Sequence, residues 1–164
     1  MWFAVLLTAC TGQAPQRPSQ RKGAVPQADS ALIALMELNR RMTEAADDQL
    51  LQIVNSLPEH YALYERGTWV HTIDPGEAAQ PIAEGEECTV HMQVYALDGT
   101  LLYDAQETGP AGKYTFIPAI DENIAEWHRG ARLRLYAPWY AAYGITGKGR
   151  ISPYENIRIE LEIR

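Results

Sequence analysis

The clearest signal in the chain is a period-two alternation of apolar and polar positions near its end. Residues 131–136 and 157–164 alternate in this way, which predicts two half-buried antiparallel strands. On the second, Ile157, Ile159, Leu161 and Ile163 share a core face while Arg158, Glu160 and Glu162 face water. Arg132 and Arg134 bring opposite charge to the neighbouring polar face, so the pattern sets register as well as pairing. Residues 88–95 also alternate, with Val90, Met92 and Val94 on one face, and Asp98-Gly99 supplies a hairpin turn before Leu101 to Tyr103. Between these strand pairs the period changes to that of a helix. Pro118 marks its start, Asp121 and Glu122 its first turn, His128 and Arg129 its last, and Gly130 lies just past it. Ile117, Ile120, Ile124 and Trp127 share one face of that helix, which predicts an α+β domain with the helix lying across a curved antiparallel sheet.

Upstream the apolar spacing is three and four. Leu32, Leu35, Met36, Leu38 and Met42, then Leu50, Leu51, Ile53, Val54 and Leu57, predict a helical arm over 28–60, ahead of the domain at 61–164. Asp29 or Ser30 can cap its start and Pro58 ends it. A lapse in the pattern from Thr43 to Asp48 predicts two helices or a kink. Such an arm needs a surface to cover its apolar stripe, either the following domain or a second copy in a homodimer.

Residues 1–10 form an apolar run too short to cross ~30 Å of hydrocarbon, which takes about 20 helical residues, so an export signal over 1–9 is expected. Its ending, Leu7-Thr8-Ala9-Cys10, resembles the lipobox of bacterial lipoproteins, in which the Cys becomes the lipidated N-terminus; a plain cleaved signal is the alternative. Residues 10–27 are rich in Pro and Gln with little to bury, the composition of a disordered tether. The tether carries +3 and residues 28–164 carry −10. That split suits a lipid-anchored domain held off anionic headgroups, or is a basic linker of no consequence. Thr11 is no acidic retention signal, so the expected place is the cell envelope, anchored to the outer membrane and facing the periplasm.

Charge and composition also exclude classes of function. A net charge of −7 without a Lys/Arg cluster beside the aromatics argues against nucleic acid. His60, His71, His91 and His128 have no ligand spacing and no Ser/His/Asp set stands out, so neither a metal nor a cofactor is expected. With Cys10 lipidated, Cys88 has no partner for a disulfide and reads as a small buried residue. The turn-rich segment between the last two strands holds Tyr136, Trp139, Tyr140 and Tyr143, more aromatic surface than a connector needs, and is the candidate binding site.

These pieces carry a resemblance. Val90-His91, Asp98-Gly99, Tyr103-Asp104, Phe116-Ile117-Pro118, Gly130 before the Arg132 strand, Ala142-Tyr143-Gly144, Ile151-Ser152-Pro153 and the closing strand follow one another as in the FK506-binding-protein (FKBP) type of peptidyl-prolyl cis/trans isomerase. With the lipobox and the arm, the chain resembles the lipoprotein isomerases of Bacteroidetes related to the gliding-motility-associated lipoprotein. The resemblance implies an FKBP-like curved sheet of about five antiparallel strands wrapped on one short helix. It also implies prolyl isomerisation of proline-containing polypeptide clients. Tyr143 would donate a hydrogen bond to the bound peptide, Asp104 would be the polar group at the pocket edge, and Tyr103, Phe116, Ile117, Ile120, Ile159 and Met92 would line the walls.

The chain also departs from the family pattern. Ile120 stands where the family has a floor Trp, Met92 where it has a Tyr, and Ile159 in place of a common Phe; Tyr103-Asp104 lies one residue further from Asp98-Gly99. The implied pocket is therefore aliphatic and wider. Three functions follow: a lipid-anchored isomerase and folding helper, an FKBP-fold chaperone or assembly subunit with weak or lost turnover, and a purely structural envelope lipoprotein.

Overall fold

The computed structural model describes residues 27–76 and 81–164. Cys10, the signal and the tether before residue 27 lie outside the described residues. In chain order the elements are α1 (Gln27–Ser56), β1 (Ala62–Leu63), β2 (Trp69–Asp74), β3 (Glu87–Ala96), β4 (Leu101–Pro110), α2 (Pro118–Asp121), β5 (Arg132–Ala137) and β6 (Ile157–Ile163). All strands join one antiparallel sheet in the order β1-β2-β5-β6-β3-β4. The sheet thus has six strands. The two strands beyond those read from the pattern, β1 and β2, come from the segment after Tyr61, where Trp69, His71 and Ile73 blur the alternation.

The alternation in β6 holds throughout. Ile157, Ile159, Leu161 and Ile163 are buried, and they face Val90, Met92 and Val94 of β3 and Leu133 and Leu135 of β5. Ile120, Ile124 and Trp127 close this core from above. The helix that carries them is shorter than expected: α2 spans only Pro118–Asp121, and a separate 3-10 turn, Ile124–Glu126, follows. The buried Asn123 separates the two, donating to the Ala119 carbonyl and accepting from the Glu65 amide. Arg129 lies outside any helix and pairs instead with Glu86 at 2.6 Å.

Hairpin β3–β4 turns at Asp98-Gly99, where the Asp98 side chain accepts from the Thr100 amide and Gly99 takes φ +92°, a left-handed conformation suited to glycine. The extra residue before Tyr103 is absorbed as a bulge: Val94 pairs with Tyr103 and Tyr95 with Leu101, leaving Leu102 unpaired.

The arm is one unbroken helix. It starts at Gln27, ahead of Asp29 and Ser30, and ends two residues before Pro58. The lapse from Thr43 to Asp48 does not break it, because Glu44, Ala45, Ala46 and Gln49 are strong helix formers even where the apolar period fails. Its second half covers the outer face of the sheet, with Leu50 and Val54 buried against Tyr61 and Tyr136. Its first half covers nothing among the described residues: Leu32, Ile33, Leu35, Met36 and Leu38 are each more than half exposed.

Candidate functional site

The loop between β5 and β6 begins with Pro138 and a 3-10 turn, Trp139–Ala141, and brings Tyr143 to the rim of the core. The Gly144 amide donates to the Trp139 carbonyl at 2.9 Å and the Tyr154 amide to the Gly144 carbonyl at 3.0 Å, so the residues around Tyr143 are pinned from both sides. Burial pushes the Tyr143 phenol up to about 12, so the hydroxyl keeps its proton across the physiological range. That hydroxyl lies 3.9 Å from the Met92 sulfur, a weak acceptor. A strong hydrogen-bond donor is thereby held in an apolar wall with little to donate to.

Tyr103 faces the same side as Met92 and Val94, because Val94 is its ladder partner. Tyr103, Ile117 and Tyr143 are partly exposed where they pack on the core, and Phe116 is buried just inside them. Lys148, flanked by Gly147 and Gly149, reaches back across this mouth. Its ammonium lies 4.3 Å from the Tyr103 ring centroid and 5.6 Å from that of Tyr143. It donates to the Tyr103 hydroxyl at 3.0 Å and pairs with Glu107 at 3.3 Å, and the Tyr103 hydroxyl in turn donates to Glu107 at 3.2 Å. The Tyr103 hydrogen bond and, after it, Glu107 hold the Lys148 pKa above its ordinary value. Neither Lys148 nor Glu107 was singled out by the sequence pattern. A lysine between two glycines among aromatics was the available signal for the first; the second lies in β4 beyond the expected strand.

Two expectations fail here. Asp104 does not join Tyr143: it pairs with Gln93 across the ladder and faces the opposite, outer side of the sheet. There its carboxylate accepts from Gln93 and contacts His91, each at 2.9 Å, and these two partners hold it below the usual carboxylate range. Adjacent residues of a regular strand point to opposite faces, so Tyr103 and Asp104 cannot both line one pocket once the bulge has been spent at Leu102. The aliphatic positions also do not open the pocket. Met92, Ile120 and Ile159 have 0% exposure, so they form the packed floor beneath the site rather than open walls. An open cleft of about 290 Å³ lies instead on the outer face, bounded by His91, Gln93, Arg132 and Glu160.

Among the described residues no group of three His, Cys, Asp or Glu is placed to hold a metal ion. Cys88 is buried, its thiol raised by that burial and directed at the Gly109 carbonyl.

No protein-family model matches the chain. A macrophage infectivity potentiator from Trypanosoma cruzi is 32% identical over 96 residues, covering 54% of this chain and 47% of that protein. The chain thus spans about half the length of that relative. Among solved structures, a peptidyl-prolyl cis-trans isomerase from Pseudomonas syringae pv. tomato matches with a TM-score of 0.60 at 21% identity, over 74% of this chain and 92% of that one. AtFKBP13 matches with a TM-score of 0.56 at 18% identity, over 63% and 95%. The antiparallel sheet with its single short helix is therefore that of the FKBP-like fold shared with peptidyl-prolyl cis-trans isomerases.

Proposed function

We propose that the domain is an FKBP-type peptidyl-prolyl isomerase that binds X-Pro segments of unfolded or partly folded chains at the mouth formed by Tyr103, Phe116, Ile117 and Tyr143. The observation that carries this reading is the Tyr143 hydroxyl, protonated and with a thioether at 3.9 Å as its acceptor among the described residues. A prolyl amide crosses a barrier of ~18–20 kcal/mol because resonance is lost as the C–N bond twists. Water favours the planar, polar amide, so a dry wall that holds the ring and one donor aimed at a peptide carbonyl lower the barrier without nucleophile, metal or proton transfer. Lys148 spans the mouth from a backbone held by two hydrogen bonds to Ile151, so it is the side chain that swings aside to admit the ring.

The test is exchange of cis and trans prolyl peptides followed by NMR with catalytic amounts of protein. Wild type should catalyse exchange, and Tyr143→Phe should lower the rate by the value of one hydrogen bond, on the order of 1 kcal/mol. A wild type without catalysis removes the enzymatic reading. The second reading, a non-catalytic FKBP-fold chaperone or assembly subunit, draws support from the complete burial of Met92, Ile120 and Ile159, which leaves a shallow site.

The finer assignment belongs to the same proposal: an outer-membrane lipoprotein anchored at Cys10 and facing the periplasm, related to the Bacteroidetes gliding-motility type. It is supported by the Leu7-Thr8-Ala9-Cys10 pattern and the basic segment after it. Palmitate labelling of wild type but not of Cys10→Ala is the expected result.

A further inference from the structure

The arm makes two separable kinds of contact with the domain. Leu50 and Val54 make an apolar seat on Tyr61 and Tyr136, which is enough to dock a helix. Within the turn that leads into Leu50, polar side chains of α1 reach past that seat to the loop that carries Tyr143. Asp47 accepts from the Tyr140 hydroxyl at 2.5 Å, and Gln49 accepts from the Asn156 side-chain amide at 2.7 Å. Asn156, largely buried, turns its other side-chain atom inward and accepts from the Trp139 amide at 2.8 Å. One asparagine thus clamps the beginning of the loop to its end, and Gln49 fixes the rotamer of that asparagine. The clamp leads directly to Tyr143: the Trp139 carbonyl accepts from the Gly144 amide, and the Trp139 ring packs edge-on against Tyr140 and Tyr154 at centroid distances of 5.5 and 5.0 Å. The Asp47–Tyr140 contact is itself built in closely, since a Cβ on Gly67 would fall 2.5 Å from the Tyr140 hydroxyl and 3.2 Å from Asp47.

We propose that Asp47 and Gln49 of α1 are positioning residues for Tyr143, so that the arm is part of the site's machinery as well as an appendage. The proposal rests on the reading of Tyr143 as the hydrogen-bond donor to the peptide. Neither side chain touches the mouth, so each acts through the loop: Gln49 through Asn156 and Trp139, Asp47 through Tyr140. The seat and the clamp can be broken independently, which separates positioning from stability.

The experiment uses the full chain and four variants. Gln49→Leu removes the acceptor, Gln49→Glu keeps one, Asp47→Ala removes the other acceptor, and Leu50→Ala weakens the seat alone. Turnover and KM for prolyl-peptide exchange are measured with thermal melting and with amide hydrogen exchange at Gly144 and Tyr154. Gln49→Leu and Asp47→Ala should lower kcat about 2- to 10-fold with KM little changed, as expected for losing one hydrogen bond's worth of placement. They should also speed amide exchange at Gly144 and Tyr154. Gln49→Glu should behave as wild type, and Leu50→Ala should lower the melting temperature while leaving kcat and those two amides as they were. Unchanged Gly144 and Tyr154 exchange in Gln49→Leu overturns the proposal, as does a kcat loss in Leu50→Ala equal to that in Gln49→Leu. If wild type catalyses nothing, the isomerase reading falls while the amide exchange still decides whether α1 positions the loop.

Discussion

The two faces of the sheet are built on different principles. The inner face is a continuous apolar surface, in which β6 contributes four buried side chains against β3, β5 and α2. The outer face is half covered by α1 and half by charge: Arg134 pairs with Glu160 at 2.7 Å and with Glu59 at 3.3 Å, and Arg132 lies opposite Glu162 in the ladder. Burial stabilises by area and cannot be screened, whereas partly exposed ion pairs contribute little and weaken with salt. The difference locates function, too. The inner face carries both the fold and the candidate site, so their residues are coupled, while the charged half of the outer face, away from α1, should tolerate change without touching the site.

That contrast can be broken most directly at the core. Truncating Ile124 or Leu161, at 1% and 3% exposure, to Ala should cost ~2–5 kcal/mol in denaturant unfolding. A variant that melts with wild type would remove the inner face as the source of stability. Next comes Ile120→Trp. With Ile120 wholly buried, the larger ring has no open floor to occupy and should cost about 1–3 kcal/mol through overpacking, with no gain in exchange rate; a faster, equally stable variant would show that the floor opens to substrate.

Tyr143 gives a pH test of the same coupling. Its folded pKa is raised from 10.0 to about 12, so its contribution to stability is fully present below pH 10 and is lost as pH climbs towards 12, where the unfolded phenol ionises and the folded one does not. Wild type should therefore lose on the order of 2 kcal/mol more than Tyr143→Phe across that interval. Parallel alkaline unfolding curves would place Tyr143 in water. The smallest effect is expected on the outer face, where Asp104→Asn should leave both the melting midpoint and the exchange rate as in wild type, because its partners His91 and Gln93 are solvent-side. A loss of exchange in that variant would return Asp104 to the site.

The closing strand and the Asp98-Gly99 hairpin were legible because period-two alternation and turn chemistry are local properties. The strand β4 was only begun by its sequence: beyond Tyr103, Asp104, Gln106 and Glu107 give no apolar alternation, and pairing with β3 alone carries the strand to Pro110. The facing of Asp104 was hidden for a related reason. An insertion of one residue could have shifted the whole strand by one, but the bulge at Leu102 confined it, and which residue a bulge discards depends on the partner strand. The short α2 reflects the same limit, since Asn123 left the helical pattern to satisfy Glu65, a partner 58 residues away. Tyr143 could be singled out because the Ala142-Tyr143-Gly144 context that carries its part of the resemblance is local, and the structure puts it at the rim of the core. Lys148 and Glu107 were missed because only the folded chain brings β4 and the last loop together.

The uncovered first half of α1 has a mechanical consequence. Residues 30–41 form about three helical turns beyond the point where Met42 reaches the domain, a rod of roughly 18 Å at 1.5 Å per residue. A rod transmits direction as well as distance: anything bound at its amino end would stand at a set radius and bearing from the loop that carries Tyr143, as the tip of a boom stands from its crane.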